Sequence, residues 1–340
     1  DRTALVARPT SLGHPGNLRS QHAVSISVCT LAFGREEHLA NLVRGLCAST
    51  RLPDELVIAV MQSAPFRPPD APFPVRQIML GADGIPLAAG RNRAAAEARG
   101  DLLVFLDVDC IPASRCVEDY ARHAESLGGL LMGEVAYLPD GAAMPGIDEA
   151  RFEQVGVKHS ERAGAPKGTH ALCSDYRCFW SLNFAMTKEN FMRTGGFDER
   201  FVGYGGEDTD FGRTVATHEL PIWWVRGAKA FHQYHPHHMP PVHHLDSVLA
   251  NARRFAAKWG EPTMQHWLRA FVLMGLVERT GDGWRKLREP DESDLELTRP
   301  QESAPYASSA TVLDWLEARA ASPDADGGPE ATPAPAIASA

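Results

Sequence analysis

Two carboxylates separated by one residue, Asp107 and Asp109, offer the clearest chemistry in the sequence. Neighbouring carboxylates repel each other and lose hydration on burial unless a cation compensates them. A divalent metal ion that also holds a phosphate group would supply that compensation. A simpler interpretation is that the pair ends a strand, because aspartate is common in turns. The flanking sequence decides between the two interpretations.

The segment before the pair predicts a buried strand. The five apolar residues 102–106 lie between Asp101 and Asp107, which is typical of a strand buried on both faces in a parallel sheet. The aspartates then lie at the carboxyl end of a core strand, where open α/β sheets bind their ligands. Pro112 fits the first turn of a following helix, because its missing N–H would be unpaired there anyway.

The elements upstream alternate between strand and helix. Strand–helix alternation implies a βαβ sheet with right-handed crossovers. A dinucleotide-binding fold is disfavoured, because no Gly-x-Gly-x-x-Gly follows the first strand, and no Walker-type phosphate loop is present. The predicted strands cover residues 23–30, 55–61 and 75–80, and the predicted helices cover residues 36–47 and 87–99.

A glycine-rich segment in the second half of the chain leads into a predicted helix over residues 207–219. Carboxylates at a helix N-terminus are stabilised by the helix dipole, which is a purely structural explanation for them. It does not explain the glycines, which let a backbone approach a ligand closely, or an aromatic side chain that suits a sugar ring. The residues of this motif are Gly203, Tyr204, Gly205, Gly206, Glu207, Asp208 and Asp210.

A third group of residues follows two short predicted strands over residues 222–225 and 228–232, the second ending at His232. Most of the histidines after it are expected to be surface residues. A histidine-rich tract also binds zinc in some proteins, so a metal role stays open. These histidines are His235, His237, His238, His243 and His244.

The order of these motifs resembles that of GT-A glycosyltransferases of family 2, over about residues 24–236. The segment from Gly90 to Asp109 looks like their nucleotide-sugar-binding half. The segment 197–211 resembles the acceptor-side motif of beta-1,4-galactosyltransferases and of bacterial chondroitin polymerase catalytic domains. The sequence departs from the family at Tyr204, where tryptophan is usual, and at Gln62, where the second strand is usually followed by Asp-Asp/Asn-Gly.

The resemblance implies an α/β fold of the GT-A type, a Rossmann-like nucleotide-sugar-binding mixed sheet flanked by helices, with a C-terminal helical extension. It implies an inverting, metal-dependent transferase. The donor would be a UDP-sugar of the galactose, N-acetylhexosamine or glucose type, and the acceptor a hydroxyl of a glycan or small molecule. Two other classes stay open: a metal hydrolase that uses His235, His237 or His238, and a catalytically inactive glycan-binding module.

The resemblance also assigns roles to individual residues. Asp208 would be the general base and Glu207 would orient the acceptor. Mn²⁺, or Mg²⁺, would be held by Asp109 and His232, with Asp107 near the metal or the ribose. The residues expected to bind the donor are Thr30, Arg35, Gln62, Asp83, Arg91 and Asp107. The residues expected to bind the acceptor are Tyr204, Gly205, Gly206 and Glu207.

Composition limits the partners. The 340 residues carry a net charge of −9 without a basic stripe, which argues against nucleic acid. An anionic nucleotide sugar would therefore need local compensation by the metal and by arginines such as Arg35, Arg91 and Arg93. The six cysteines include no Cys-x-x-Cys, so a reduced, cytoplasmic protein is expected, although a Cys173–Cys178 link stays open. No membrane-spanning run is visible, and membrane contact is expected to be peripheral at most.

The chain is predicted to have four regions. A segment over residues 137–179 has the length of an acceptor-binding insertion or lid, with a helix over residues 148–160. A core strand over residues 179–186 follows, with Thr187 capping the next helix. The regions are a flexible arm (1–22), the catalytic domain (23–240), a helical extension (241–287) with helices at 245–259 and 264–277, and a mostly disordered acidic, Ala/Pro-rich tail (288–340) with one short helix at 310–318.

Overall fold

The computed structural model describes residues 24–81, 85–144, 146–159, 161–281, 283–299 and 309–321. Its strands are β1 (Ile26–Ala32), β2 (Glu55–Val60), β3 (Val75–Met79), β4 (Leu102–Leu106), β5 (Cys110–Pro112), β6 (Leu130–Met132), β7 (Val135–Tyr137), β8 (His170–Leu172), β9 (Asn183–Thr187), β10 (Ile222–Val225), β11 (Ala230–His232), β12 (Val277–Thr280) and β13 (Gly283–Lys286). Its helices are α1 (Glu36–Cys47), α2 (Leu87–Glu97), α3 (Cys116–Ala124), α4 (Glu149–Val155), α5 (Lys188–Thr194), α6 (Glu207–Thr217), α7 (Leu245–Trp259), α8 (Gln265–Leu273), α9 (Glu292–Thr298) and α10 (Ser309–Ala321).

A large mixed sheet forms the centre of the molecule. Within the described residues its strand order is β3-β2-β1-β4-β9-β6-β10-β8. The first four strands of that order are parallel, and β9 runs antiparallel to both β4 and β6. The chain order reverses between β1 and β4, so the loops that follow these two strands open a crevice at the carboxyl edge.

The predicted core strands and helices are confirmed in the first half of the chain. All five residues of β4 are buried, as the continuous apolar run predicts for a strand covered on both faces. Helix α1 covers the predicted residues and buries Leu39, Leu42, Val43 and Leu46 against the sheet. Thr187 caps α5 as predicted, because its side chain accepts a hydrogen bond from the Asn190 N–H.

The prediction of a helix beginning at Pro112 is wrong. Residues 110–112 form β5, which pairs with β11 in a three-stranded sheet with β7, and α3 begins only at Cys116. Proline is tolerated in the short outer strand β5, where a missing N–H costs no ladder hydrogen bond. This small sheet is important for the site, because the register of β5 and β11 places His232 opposite Cys110.

The C-terminal extension (residues 241–299) has its own apolar core around Val248, Leu268 and Phe271. Helix α7 matches its prediction. The predicted helix over residues 264–277 is too long, because α8 ends at Leu273 and Val277 begins the β12–β13 hairpin. The buried face of α8 packs within this core, as expected for a packing helix rather than a membrane-surface one.

The predicted disordered tail begins too early. Helix α9 is fixed by a capping box in which Asp291 and Asp294 satisfy each other's backbone N–H groups. Helix α10 contacts α8 through the Arg269–Glu317 ion pair. The predicted arm at residues 1–22 and the segment 322–340 lie outside the described residues. Within the described residues, none of the helices combines the length and apolar character that a membrane crossing requires.

Candidate active site

The crevice between β1 and β4 collects the residues singled out by the first motif. Thr30 lies near the end of β1, and its buried hydroxyl has no hydrogen-bond partner among the described residues. Asp107 and Asp109 follow β4 directly, as predicted. The chain turns sharply between them, because the Cys110 N–H donates to the Asp107 carbonyl at 2.8 Å. The two carboxylates therefore face different neighbours.

Asp109 forms a cluster with two histidines. The His232 Nε2 lies 3.6 Å from Asp109 Oδ1, and the His235 Nε2 lies 3.4 Å from Asp109 Oδ2. One ligand atom from each of the three residues lies within 4.8 Å of the others, which is the grouping that a metal ion requires. The Arg35 guanidinium also forms an ion pair with Asp109, so a cation already compensates this carboxylate.

The small sheet explains why these residues meet. His232 ends β11 directly opposite Cys110, one residue after Asp109. The Gln233 N–H then donates to the Asp109 carbonyl at 2.7 Å, which carries the pairing one step further. His235 follows three residues after His232 and returns to the same carboxylate. Residues more than a hundred positions apart are thus aligned by a three-residue strand.

The protonation states in this cluster favour metal binding. Burial disfavours the charged form of Asp109, yet the two histidines and Arg35 outweigh it and hold the pKa of this carboxyl well below its usual range. Burial lowers the pKa of His232 to about 4, although the charge on Asp109 opposes the shift. At neutral pH the pair is a carboxylate and a neutral imidazole, which are the forms that ligate metals.

Asp107 faces a buried arginine instead. The Arg91 NH2 lies 3.1 Å from Asp107 Oδ1, and its NH1 lies 3.7 Å from Glu207 Oε1. Burial raises the pKa of Asp107, and Arg91 opposes that shift without cancelling it. The Arg91 guanidinium therefore connects the first carboxylate motif to the second one. Asp107 does not belong to the cluster around Asp109, and its role toward the metal or the ribose stays a prediction.

Glu207 and Asp208 begin helix α6, as the second motif predicts. Burial raises the pKa of Glu207 to about 8, and the neighbouring Asp208 carboxylate adds to the shift while Arg91 opposes it. Asp208 Oδ2 accepts a hydrogen bond from the Ser181 N–H at 3.0 Å. Asp208 Oδ1 is buried and has no hydrogen-bond partner among the described residues. One carboxylate oxygen is thus fixed and the other is available.

The glycine loop (residues 202–206) leads into this helix. Gly203, Gly205 and Gly206 have φ angles of 80°, 89° and 90°, a left-handed conformation that other residues adopt at a cost. Tyr204 stacks against His244 at 4.9 Å and Trp267 at 5.7 Å between ring centroids. It remains 39% exposed. Tyr204, the aromatic side chain expected to suit a sugar ring, therefore lies beside the carboxylate pair. Its ring already stacks against the rings of His244 and Trp267.

The predicted donor residues are only partly brought together. Gln62 lies beside the loop after β1, because its Oε1 accepts from the Gly34 N–H at 2.8 Å. Arg93 forms an ion pair with Glu97 on the surface of its own helix, which directs it away from the crevice. Asp83 lies outside the described residues, and its predicted contact with the donor stays a prediction.

His235 is the member of the Asp109 cluster that sequence reasoning missed. It was expected to be one of several surface histidines, and its spacing of three from His232 was the only signal that separated it from them. His238, in contrast, contacts the Thr298 hydroxyl in the C-terminal extension. Among the residues that the structure describes, the group around Asp109 is the one metal-compatible cluster. A separate histidine-only site is therefore not present in that part of the chain.

The segment predicted as an insertion or lid packs against the second half of the sheet. Its helix, α4, is shorter than predicted, and Asp148 caps it. The Arg162 guanidinium lies 5.3 Å from the ring centroids of both Trp180 and Trp224. The Arg162 guanidinium therefore covers part of the Trp180 ring. The six cysteines, all within the described residues, are free thiols, so Cys173 and Cys178 are not linked.

Comparison with protein families matches two segments of the chain. Residues 69–175 match the family described as glycosyl transferase family 2, and residues 170–238 match the N-terminal domain of galactosyltransferase. The first segment contains Asp107 and Asp109, and the second contains Asp208, His232 and His235. The two matches meet at residues 170–175, and β1 with Thr30 and Arg35 lies before both of them.

Relatives and solved structures are similar to the same region. Validoxylamine A glucosyltransferase from Streptomyces hygroscopicus subsp. limoneus is 22% identical over 264 residues, which are 70% of this chain and 58% of the relative. Chondroitin synthase from Escherichia coli is 39% identical over 66 residues, 19% of this chain and 10% of the relative. The crystal structure of GalNAc-T7 with UDP, GalNAc and Mn²⁺ superposes with a TM-score of 0.52 at 14% identity, covering 90% of this chain and 59% of that one.

The fold and the two matched segments show which proteins this chain is similar to. The mixed sheet, with its crevice at the carboxyl end of β1 and β4, is the GT-A fold shared with GalNAc-T7. Residues 69–175 are similar to glycosyl transferase family 2 and residues 170–238 to the galactosyltransferase domain, on a fold of the GT-A type. It spans about half the length of the first curated relatives, 58% of one and 45% of the other.

Proposed function

We propose that this chain is an inverting, metal-dependent glycosyltransferase that moves a sugar from a UDP-sugar to a hydroxyl of a glycan or small-molecule acceptor. The observation that carries the proposal is the meeting of three parts in one crevice. These are a metal-compatible cluster around Asp109, a buried arginine between two carboxylates, and a carboxylate pair at the start of α6.

The residues present fit a divalent metal ion. Two imidazoles and one carboxylate, His232, His235 and Asp109, favour Mn²⁺ over Mg²⁺, because Mg²⁺ prefers an all-oxygen shell. The Arg35 guanidinium forms an ion pair with the Asp109 carboxylate. A bound metal ion would either replace Arg35 there or share the carboxylate with it. When bound there, the metal would neutralise charge on the diphosphate and so stabilise its departure.

Asp208 is proposed as the general base. The acceptor oxygen attacks the anomeric carbon from the face opposite the diphosphate while its proton passes to Asp208 Oδ1. The bond from the anomeric carbon to the phosphate oxygen breaks, and UDP leaves with the electron pair, which inverts the configuration. The unpaired Oδ1 and the fixed Oδ2 support this role, because a base must present a free oxygen in a defined direction.

Glu207 is proposed to orient the acceptor in its protonated form. A carboxyl whose pKa is raised to about 8 carries a proton at neutral pH, so it donates a hydrogen bond to an acceptor oxygen rather than accepting the transferred proton. The raised pKa thus separates the tasks of two adjacent carboxyls. Arg91 lies between Glu207 and Asp107, where it would also attract the anionic donor.

The sugar is proposed to be of the glucose, galactose or N-acetylhexosamine type. GalNAc-T7, which shares the fold, was solved with UDP, GalNAc and Mn²⁺, and the Streptomyces relative is named a glucosyltransferase. Uridine is the part of the donor with the least support from the residues, because Gln62 stands where family members usually carry acidic residues. The metal and base roles do not depend on Gln62.

A panel of nucleotide sugars tests the proposal. UDP-glucose, UDP-galactose, UDP-N-acetylhexosamines and their GDP counterparts are added to the protein with Mn²⁺, and thermal stabilisation and slow release of the free nucleotide are measured. Stabilisation and hydrolysis with a UDP-sugar support the proposal, and NMR of a transferred product gives the anomeric configuration. Stabilisation without hydrolysis or transfer would favour the glycan-binding module. A preference for GDP-sugars would change the proposed donor to a GDP-sugar and leave the proposed class of enzyme unchanged.

A further inference from the structure

Asn251 is a fully buried amide of the C-terminal extension that holds the glycine loop. Its side-chain N–H groups donate to the carbonyls of Gly205 at 2.8 Å and Val202 at 3.1 Å. Its Oδ1 accepts from the Arg254 guanidinium at 2.9 Å. A buried amide with both ends satisfied is costly to replace, since either end would then be left unpaired. Helix α7 therefore fixes the backbone two to five residues before the carboxylate pair.

A second contact from α7 fixes the loop at its centre. The Tyr204 N–H donates to Ser247 Oγ at 3.1 Å, and the same hydroxyl lies 3.0 Å from the His244 carbonyl. Ser247 and Asn251 are one helical turn apart, so they lie on the same face of α7. Two side chains of one helix thus hold three peptide groups of the loop.

The loop glycines are also shaped by the extension. A Cβ on Gly203 would lie 2.4 Å from the Ser247 Cβ, and one on Gly205 would lie 2.7 Å from the Met264 Sδ. Neither distance allows a side chain without a shift. Gly203 therefore has no room for a side chain beside α7, whereas the neighbour of Gly205 is the movable end of the Met264 side chain; all three glycines also adopt positive φ angles.

The C-terminal extension also holds the first turn of helix α6, through Asp210. Asp210 is buried and accepts hydrogen bonds from Lys258 at 2.8 Å and from the Trp259 indole N–H at 2.7 Å. Lys258 and Trp259 are the last residues of α7. The first turn of α6, which carries Glu207 and Asp208, is therefore fixed by α7 on both sides.

We infer that Asn251 is a positioning residue for the transfer reaction and that the C-terminal extension is an integral part of the acceptor site. Through the carbonyls of the glycine loop, Asn251 sets the place of Tyr204 and of Asp208 relative to the donor. Trp267 and His244 complete the same site by holding the Tyr204 ring. The inference rests on the proposed function, because it assumes that the Glu207–Asp208 pair serves the acceptor.

The test replaces Asn251 by aspartate. Asn251→Asp keeps the shape but turns a carboxylate toward the two loop carbonyls, so the loop must move. The matched control is Ala250→Asp, which adds the same charge to an exposed position of the same helix. Binding of UDP with Mn²⁺, steady-state hydrolysis of UDP-glucose, and hydrogen exchange of residues 203–208 are measured for both variants and for wild type.

We expect Asn251→Asp to lower kcat about 10-fold or more and to speed hydrogen exchange in the loop, while the KM for UDP-glucose and the affinity for UDP change by about 2-fold at most. Ala250→Asp is expected to behave as wild type. If Asn251→Asp does not fold, Ser247→Ala takes its place. It is expected to lower kcat and to speed hydrogen exchange in the loop in the same direction but by a smaller factor. A folded variant with wild-type kcat and loop protection, or with donor affinity falling in step with kcat, would overturn the inference. A wild-type protein that neither binds UDP nor hydrolyses UDP-glucose would instead count against the proposed function.

Discussion

At the scale of residues, the site separates three carboxyl groups by their neighbours. Asp109 lies among two histidines and Arg35, and Glu207 is buried beside the Asp208 carboxylate. Asp208 has one oxygen that accepts a hydrogen bond from the Ser181 N–H and one buried oxygen without a partner among the described residues. Asp109 is ionised and Glu207 is protonated at neutral pH, because their surroundings shift their pKa values in opposite directions. The chemical roles proposed for these residues follow from those surroundings rather than from residue type.

Asp208→Asn tests the base. The amide keeps the hydrogen bond from the Ser181 N–H but cannot accept the acceptor's proton, so turnover is expected to fall about 100-fold or more. Donor affinity, measured by calorimetry with Mn²⁺, is expected to stay near that of wild type. Turnover close to wild type would mean that Asp208 is only a helix-end carboxylate, and Glu207 would then be the next candidate.

Glu207→Gln tests the raised pKa through stability. The unfolded chain releases this proton near pH 4.5, whereas the folded protein keeps it until about pH 8. Wild type therefore loses stability relative to the variant as pH rises between those values, by up to about 1.4 kcal/mol per pH unit. Urea unfolding of both proteins at pH 4, 6 and 8 measures the difference. A difference that does not change with pH would show that Glu207 titrates normally.

His235→Ala tests the proposed metal ligand that only the structure places beside Asp109. Loss of one of three protein ligands is expected to weaken Mn²⁺ binding in the presence of UDP by about 10-fold or more. His238→Ala is the control, because His238 contacts Thr298 and not Asp109. Titration of Mn²⁺ by electron paramagnetic resonance gives both affinities. Equal effects of the two substitutions would remove His235 from the metal site.

At the scale of elements, sequence patterns predicted most of the longer segments and the short strands β10 and β11, but missed other short strands such as β5. The apolar run of β4 and the periodic faces of α1 and α7 are determined locally, so their bounds agree with the structure. A strand of three residues such as β5 carries no period to detect, and the sequence did not indicate that β5 pairs with β11. Their pairing depends on contacts more than a hundred residues apart. The position of His235 beside Asp109 was hidden for the same reason.

The contacts of the C-terminal extension were also beyond prediction. The sequence indicated helix α7, but nothing in it indicated that Asn251 would meet the glycine loop. A buried amide looks the same in a sequence as an exposed one. The glycines themselves were recognised as functional, yet the structure gives Gly203 a second reason, since a side chain there would collide with α7.

Asp210→Asn tests the connection between α6 and α7. The substitution removes the more buried of the two carboxylates that Lys258 contacts, the other being Asp198 at 3.0 Å, so the free energy of unfolding is expected to fall by about 1–3 kcal/mol. Asp246→Asn, in an exposed ion pair at the start of α7, is the control and should change stability by about 0.5 kcal/mol at most. Urea unfolding at pH 7 compares the two. Equal, small effects would show that the buried pair does not hold the two helices together.

At the scale of the whole molecule, an acidic protein is proposed to bind an anionic donor. The net charge of −9 opposes a diphosphate, so attraction must be local. Arg35 and Arg91 face the crevice, and a metal ion on Asp109 would add two further charges. Donor binding is therefore expected to depend on the metal more strongly than in a protein with a basic surface.

The most direct test of this account is the binding of UDP with and without Mn²⁺, measured by calorimetry on wild type and on Asp109→Ala. We predict that wild type binds UDP with Mn²⁺ and loses that binding when EDTA removes the metal. We predict that Asp109→Ala shows no metal-dependent binding, because two histidines without the carboxylate would not hold the metal that compensates the diphosphate charge. Unchanged UDP binding and full turnover by Asp109→Ala in EDTA would contradict the proposed mechanism.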